Sequence, residues 1–257
     1  MKPNFDIRSF GSAMLEKASN KLEKAELEKN YPEGLYEVRN NIFYSKDKKH
    51  LIRVFKKSGS LKIKKGTEFI AEYTFTDCSG LYFIFLPASL IMIENFAFKG
   101  CDGINNVELP SNVRYIFENT FTGMRSLKMI HCNNLYFRDL RGVLFTSDLN
   151  TLVRMPEGRT DEAYRIPSSV HKIANGAFAE CKRIKRLVIP DSATEIDKNA
   201  FRNAVFDTVE YQNRSFDMLG EIPSDVPFFL TQLSENRKNH IEMDERFPDL
   251  PKISNRS

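Results

Sequence analysis

The chain has no tryptophan, only four cysteines in 257 residues, and no uninterrupted apolar run approaching the length of a membrane span. So few cysteines cannot staple a fold of this size, and without a long apolar run no transmembrane helix is expected. Lysine and arginine exceed aspartate and glutamate by four charges, which falls short of the basicity of a dedicated nucleic-acid binder. The opening stretch lacks the apolar core of a secretory leader. With Met1 as the native start this predicts a cytoplasmic protein; with sequence ahead of Met1, it predicts a cell-surface or secreted one. No nucleophile elbow, Walker loop, zincin helix or dinucleotide glycine loop occurs, and carboxylates are scattered. No catalytic residue, cofactor or metal is assigned. His131-Cys132 is the one adjacent His–Cys pair, and a single pair is not a zinc spacing.

What is present is register. Phe75, Phe98 and Phe121 stand 23 residues apart, as do Ile70, Ile93 and Ile116, and Pro87 keeps the same interval to Pro110. The pattern resumes with Pro167/Pro190, Ile173/Ile196 and Phe178/Phe201. A globular core needs no such period, whereas a solenoid stacks identical positions coil upon coil. Within a coil, Leu81-x-x-Ile84-x-Leu86-Pro87 and its equivalents at Ile104, Leu127 and Ile184 end in period-2 alternation, a strand signal. Proline then stops the strand because it cannot donate to a ladder. A second short extended piece leads to the repeat isoleucine, and a tight Ala-Phe turn closes the coil. The stretch IFYSKDKKHLIRVF (42–55) recurs as VLFTSDLNTLVRMP (143–156), and both read as hairpins turning at Lys46-Asp47 and Ser147-Asp148.

The expected organisation has three parts. Residues 1–34 form an amphipathic cap, with Ile7, Phe10, Met14, Ala18, Leu22 and Ala25 on one helical stripe over 6–29. Residues 35–211 form a β-rich solenoid of about five coils with two hairpin insertions. Residues 212–257 supply a C-terminal cap through 235 and a flexible tail from 236.

The segments LPASLIMIENFAFKGCDGINNVELP (86–110) and IPSSVHKIANGAFAECKRIKRLVIP (166–190), with the hairpin at 142–156, resemble the BspA-like leucine-rich-repeat family, found in many bacteria and some protozoa. The resemblance covers roughly 35–211. It implies a right-handed α/β leucine-rich-repeat stack and a protein-binding role, since family members are commonly surface proteins and some are adhesins for host extracellular proteins.

Cys78, Cys101 and Cys181 occupy a site that holds Met124 and Ala204 in other coils, so packing explains them as buried thiols. Adjacent coils spaced ~4.8 Å apart also leave a Cys78–Cys101 bridge within reach. Lys46, Lys48, Lys49, Arg53, Lys56, Lys57, Lys62, Lys64 and Lys65 surround one acid, Asp47. That run reads as a solvated edge or as a patch for a polyanion such as nucleic acid. Alternation sends Tyr82, Phe83 and Phe85 outward, followed along the ladder by Asn105, Asn106 and Glu108, then Lys128, Met129 and His131, then Lys185, Arg186 and Val188. Three outward aromatics form an apolar patch that either binds a partner or lies under the N-terminal helix. The chain is therefore read as a non-enzymatic, monomeric protein-binding module with Tyr82, Phe83, Phe85, Lys128, Met129, His131, Lys185 and Arg186 as its binding surface. The alternatives are a surface adhesin, a polyanion or nucleic-acid binder using 46–65, and an unrecognised enzyme.

Overall fold

The computed structural model describes residues 36–246 apart from 40, 56, 57 and 77. The helix expected over 6–29 and the tail from 247 lie outside the described residues. The region read as one solenoid divides into two compact units, with the boundary between Arg125 and Ser126.

The first unit opens on an antiparallel meander of β1 (Tyr36–Arg39), β2 (Ile42–Ser45) and β3 (His50–Val54). The spacing pointed to the β2–β3 hairpin only; β1 joins it through the left-handed Asn41 (φ 61°). Asp47 organises the hairpin turn by accepting hydrogen bonds from the Ser45 hydroxyl (2.6 Å) and the Lys49 amide (3.0 Å), a side-chain substitute for backbone turn bonding. From β3 the sheet continues parallel through β5 (Phe69–Ile70), β7 (Met92–Ile93) and β9 (Tyr115–Ile116). Leu51, Ile70, Ile93 and Ile116 are register partners along it, which is why the isoleucine recurs at one interval. A second row pairs β4 (Ser58–Lys62) with β6 (Gly80–Phe85), and β8 (Asn106–Glu108) repeats that position.

Between the rows runs the phenylalanine spine. Phe75 stacks on Phe98 at 5.0 Å and Phe98 on Phe121 at 5.8 Å, with the rings within 2° of parallel. All three rings are buried. Each cysteine thiol reaches back to a carbonyl of the previous coil: Cys78 Sγ to Val54 O at 3.5 Å and Cys101 Sγ to Phe75 O at 3.4 Å. The site lies against a neighbouring backbone, and cysteine adds a weak donor there. The four cysteines are free thiols. Gly103 marks a close approach of two coils, since a Cβ there would lie 2.5 Å from Leu81 O.

The second unit repeats the plan. After β10 (Met129–His131) come the antiparallel β11 (Phe137–Leu140), β12 (Val143–Thr146) and β13 (Thr151–Arg154), extended in parallel by β15 (Lys172–Ile173) and β17 (Glu195–Ile196). Asp148 binds the Thr146 hydroxyl (2.6 Å) and the Asn150 amide (3.0 Å) just as Asp47 does in its own turn. The other row is β14 (Ala163–Arg165), β16 (Arg186–Ile189) and β18 (Thr208–Tyr211), closed by the antiparallel β19 (Arg214–Asp217). Strands β14 and β16 run into Pro167 and Pro190, whereas β18 runs into Gln212-Asn213, both left-handed (φ 50° and 58°). Two consecutive positive φ values make the hairpin turn that sends β19 back along β18.

One helix occurs among the described residues, α1 (Phe228–Arg246). Its Phe229, Leu230 and Leu233 enter the core of the second unit, and Phe229 lies 5.5 Å from Phe201. Asn236 donates to the carbonyls of Phe201 (3.3 Å) and Ala204 (3.0 Å). The flexible tail expected from 236 is corrected accordingly: 236–246 continue the helix. Its first turns are pinned by apolar contacts, and Asn236 and Arg237, which pairs with Asp207 at 2.8 Å, carry the docking into the polar part.

Candidate functional site

The outward strand positions carry whatever the stack presents to a partner. On β6 the inward residues Leu81 and Ile84 are buried, while Tyr82, Phe83 and Phe85 remain 63%, 38% and 51% exposed. The rings of Phe83 and Phe85 meet at 4.4 Å, so two of the three expected aromatics form a joined surface, with Tyr82 exposed on the same strand. Beside it in register stand Ser60 opposite Phe83 and Lys62 opposite Phe85. The first unit carries a second outward column that the sequence reading missed: His50, Phe69, Met92 and Tyr115 are register partners on β3, β5, β7 and β9. His50 stacks on Phe69 at 4.6 Å, and its partial burial lowers the imidazole pKa below the usual value. The signal was the residue preceding each repeat isoleucine, a position passed over because the strands there are only two residues long.

In the second unit Lys128 and His131 are exposed and Met129 is half-buried against Gly142. His131 lies 3.9 Å from Asp139. Lys185 and Arg186 are exposed but already paired, with Glu162 at 3.1 Å and Glu210 at 3.9 Å. Val188, expected outward, is only 7% exposed; its register partners Arg165 and Glu210 belong to longer side chains that flank it.

The basic run is weaker in space than in sequence. Arg53 is buried and donates to the Tyr73 carbonyl. Lys48 pairs with Glu37 at 3.2 Å and Lys49 with Glu68 at 2.9 Å, acids from outside the run. Its counterpart Arg154 is buried as well, donating to Gly176 O (2.6 Å) and to the buried Glu157 (2.7 Å). A hairpin arginine in each unit thus anchors the following coil's turn.

Cys181 and Cys132 offer little reactivity: burial pushes Cys181 up to about 12, and burial with the Asp139 carboxylate pushes Cys132 to about 11, far from the thiolate that nucleophilic chemistry needs. Among the described residues there is no group of three His, Cys, Asp or Glu side chains able to hold a metal ion, and no helix long and apolar enough to cross a membrane. A shallow groove of about 440 Å³ lies on the second unit where β14, β16 and β18 end, beside the β18–β19 hairpin.

Parallel ladders of short strands, a repeated phenylalanine spine and coils closed by tight turns define a leucine-rich-repeat β-solenoid. The family model described as "BspA type Leucine rich repeat region (6 copies)" matches residues 53–146 and 161–222. The chain belongs to this BspA-type leucine-rich-repeat family. Among solved structures it is similar to a leucine rich cell surface protein from Faecalibacterium prausnitzii A2-165, with 28% identity, a TM-score of 0.52, and coverage of 59% of this chain and 41% of that one. It is also similar in fold to the pneumococcal vaccine antigen PcpA, with 24% identity, a TM-score of 0.53, and coverage of 59% and 38%. The matched stretch spans about two fifths of the length of these structures. No match was found among the curated proteins.

Proposed function

We propose that the chain is a non-enzymatic binding module whose partner is another protein, anchored on the outer strand face of the first unit. The observation that carries this reading is the exposure of Tyr82, Phe83 and Phe85 on one strand, with the Phe83 and Phe85 rings in contact. Aromatic side chains bury roughly 150–250 Å² each; with about half of that still exposed, the three supply roughly a third of the ~800 Å² that one side of a standard interface covers. Buried aromatic anchors are also where binding energy concentrates. Lys128, Met129, His131, Lys185 and Arg186 act as secondary contacts, because the two cations on β16 and its approach must give up existing carboxylate partners before they can meet new ones.

The similarity to a bacterial cell-surface protein favours a location where such a face meets a partner outside the cell. The adhesin reading is the specific form of that location, with a host protein as ligand. The polyanion reading loses support from the burial of Arg53 and the pairing of Lys48 and Lys49.

The test is affinity capture by the wild-type chain and by the Phe83→Asp/Phe85→Asp variant in parallel, followed by titration of any captured protein against both. A protein held by the wild type and lost by the variant, with the unfolding midpoint unchanged, supports the reading. A partner retained equally by both overturns it, and one released by moderate salt in proportion to Lys46, Lys62 and Lys65 points to the polyanion alternative.

A further inference from the structure

The outer face of the β2–β3 hairpin is closed to water, unlike the aromatic face of β6. Alternation puts Phe43 and Ile52 on the side of the hairpin opposite Leu51, where they form a cluster of their own with Phe55 packed against it. Phe43 is fully buried and Ile52 only 7% exposed. A fully buried residue touches roughly six to twelve others, so this small cluster calls for a further cover. Arg53 is buried at the same hairpin, 1% exposed.

The second unit shows where such a cover comes from. There the chain just ahead of the meander lies against it: β10 packs on β12, Ile130 donates to Gly142 O at 2.9 Å, and Asp139 donates to Cys132 O at 2.8 Å. Ile130 and Leu144, the counterpart of Phe43, are both fully buried. The charges differ in the same comparison. Arg154 is neutralised by Glu157 at 2.7 Å, whereas the position matching Glu157 after the first hairpin is Lys56. A buried guanidinium is costly without a carboxylate, so the countercharge for Arg53 comes from elsewhere in the chain.

We propose that residues 6–29 dock on this face as an amphipathic helix, laying Phe10, Met14, Ala18 and Leu22 over Phe43, Ile52 and Phe55. Glu28 stands three residues after Ala25, on the side of the apolar stripe, and supplies the carboxylate for Arg53. The stripe from Ile7 to Ala25 runs about 27 Å at ~1.5 Å per residue, enough to cross a meander of three strands spaced ~4.8 Å apart. Residues 30–35 join it to β1, whose Val38 is the register partner of Phe43. Fully extended, those six residues span roughly 20 Å, which holds the helix to the sheet that β1 edges. The docked helix does for the first unit what α1 does for the second, and it leaves Tyr82, Phe83 and Phe85 open. The inference stands apart from the binding reading, since neither face is needed for the other.

Thiol labelling of the full chain tests it, because the four native cysteines are buried and report on folding. Ala18→Cys, on the stripe, should label at least about tenfold more slowly than Glu16→Cys on the opposite side of the helix, as a protected site does beside an open one. Adding Ile52→Asp should raise the Ala18→Cys rate to that of Glu16→Cys while the native thiols stay slow, and adding Phe83→Asp should leave it unchanged. Equal rates for the two labels, or release by Phe83→Asp instead of Ile52→Asp, would overturn the proposal. Should Ile52→Asp unfold the coils, as labelling of the native thiols would report, unfolding midpoints decide. Phe10→Ala and Ile52→Ala should each lower the midpoint, and together by less than their sum; full additivity contradicts the contact. Glu28→Gln should lower the midpoint of the wild-type chain and leave that of Arg53→Met unchanged, and an equal effect in both would contradict the charge pairing.

Discussion

The two units build one scaffold twice and dress it differently. Both open on a three-strand meander with an aspartate-organised turn, both anchor the next coil with a buried arginine, and both run a phenylalanine spine beneath parallel ladders. Their outward columns diverge. On the first unit the column is His50, Phe69, Met92 and Tyr115, with Tyr82, Phe83 and Phe85 on the other row. On the second it is Thr151, Lys172 and Glu195, with Arg165, Lys185, Arg186 and Glu210 on the other. Inward positions are held by packing, where lost methylenes cost stability; outward positions are released from that constraint. What differs between the units is therefore the chemistry of the outward face: apolar and aromatic on the first, charged and largely self-paired on the second.

The sharpest way to break the equivalence of the two cores is to cut the spine in each. Phe98→Ala and Phe178→Ala remove fully buried rings, and each should cost roughly 3–5 kcal/mol in denaturant unfolding. If one were nearly silent, the shared-scaffold half of the comparison would fail. A difference in anchoring comes next. Arg154 and Glu157 form a pair with each side chain only 2% exposed, so Glu157→Ala should destabilise the second unit by about 3 kcal/mol, because one partner of a buried pair is lost. Replacing both residues with apolar ones of similar volume should recover most of that loss. A smaller effect separates the units by pH. His50 belongs to the first unit and has Thr151 as its counterpart. Its depressed pKa means that the folded chain binds fewer protons than the unfolded one below the ordinary value of 6.5. Its contribution is complete above pH 6.5 and declines as pH falls through the lowered value. The unfolding midpoint should drop on acidification from pH 7 to 5.5, and His50→Gln should flatten that slope, as differential scanning fluorimetry would show.

Much of the scaffold was legible because period is a strong signal. The phenylalanine, isoleucine and proline registers, the hairpins and the outward placement of Tyr82, Phe83 and Phe85 all follow from spacing. What escaped was what spacing does not encode. The leading strands β1 and β11 are four residues long with mixed polarity, and the turns that follow them, marked by Asn41 and by Arg141-Gly142, depart from the commonest hairpin dipeptides. Arg53 read as part of a charged edge because arginine is usually exposed; the recurrence of arginine at the same place in the second hairpin, as Arg154, was the available clue. The helical half of 236–257 was missed because Asn236 to Arg246 has little apolar period, and its docking uses an amide and an ion pair instead. The groove beside β19 depends on a proline that is missing after Tyr211, an irregularity easily read as a terminal repeat losing register.

The most direct measurement of where recognition lies is calorimetric titration of a captured protein partner against two variants, one from each unit. Phe83→Asp/Phe85→Asp should weaken binding at least about 30-fold, the scale of losing ~2 kcal/mol of aromatic anchor, with the unfolding midpoint unchanged. Lys185→Ala/Arg186→Ala should weaken it no more than about fivefold, as for exposed charges. The reverse order, with the second-unit variant losing the partner and the aromatic variant keeping it, would contradict the assignment of recognition to the first unit.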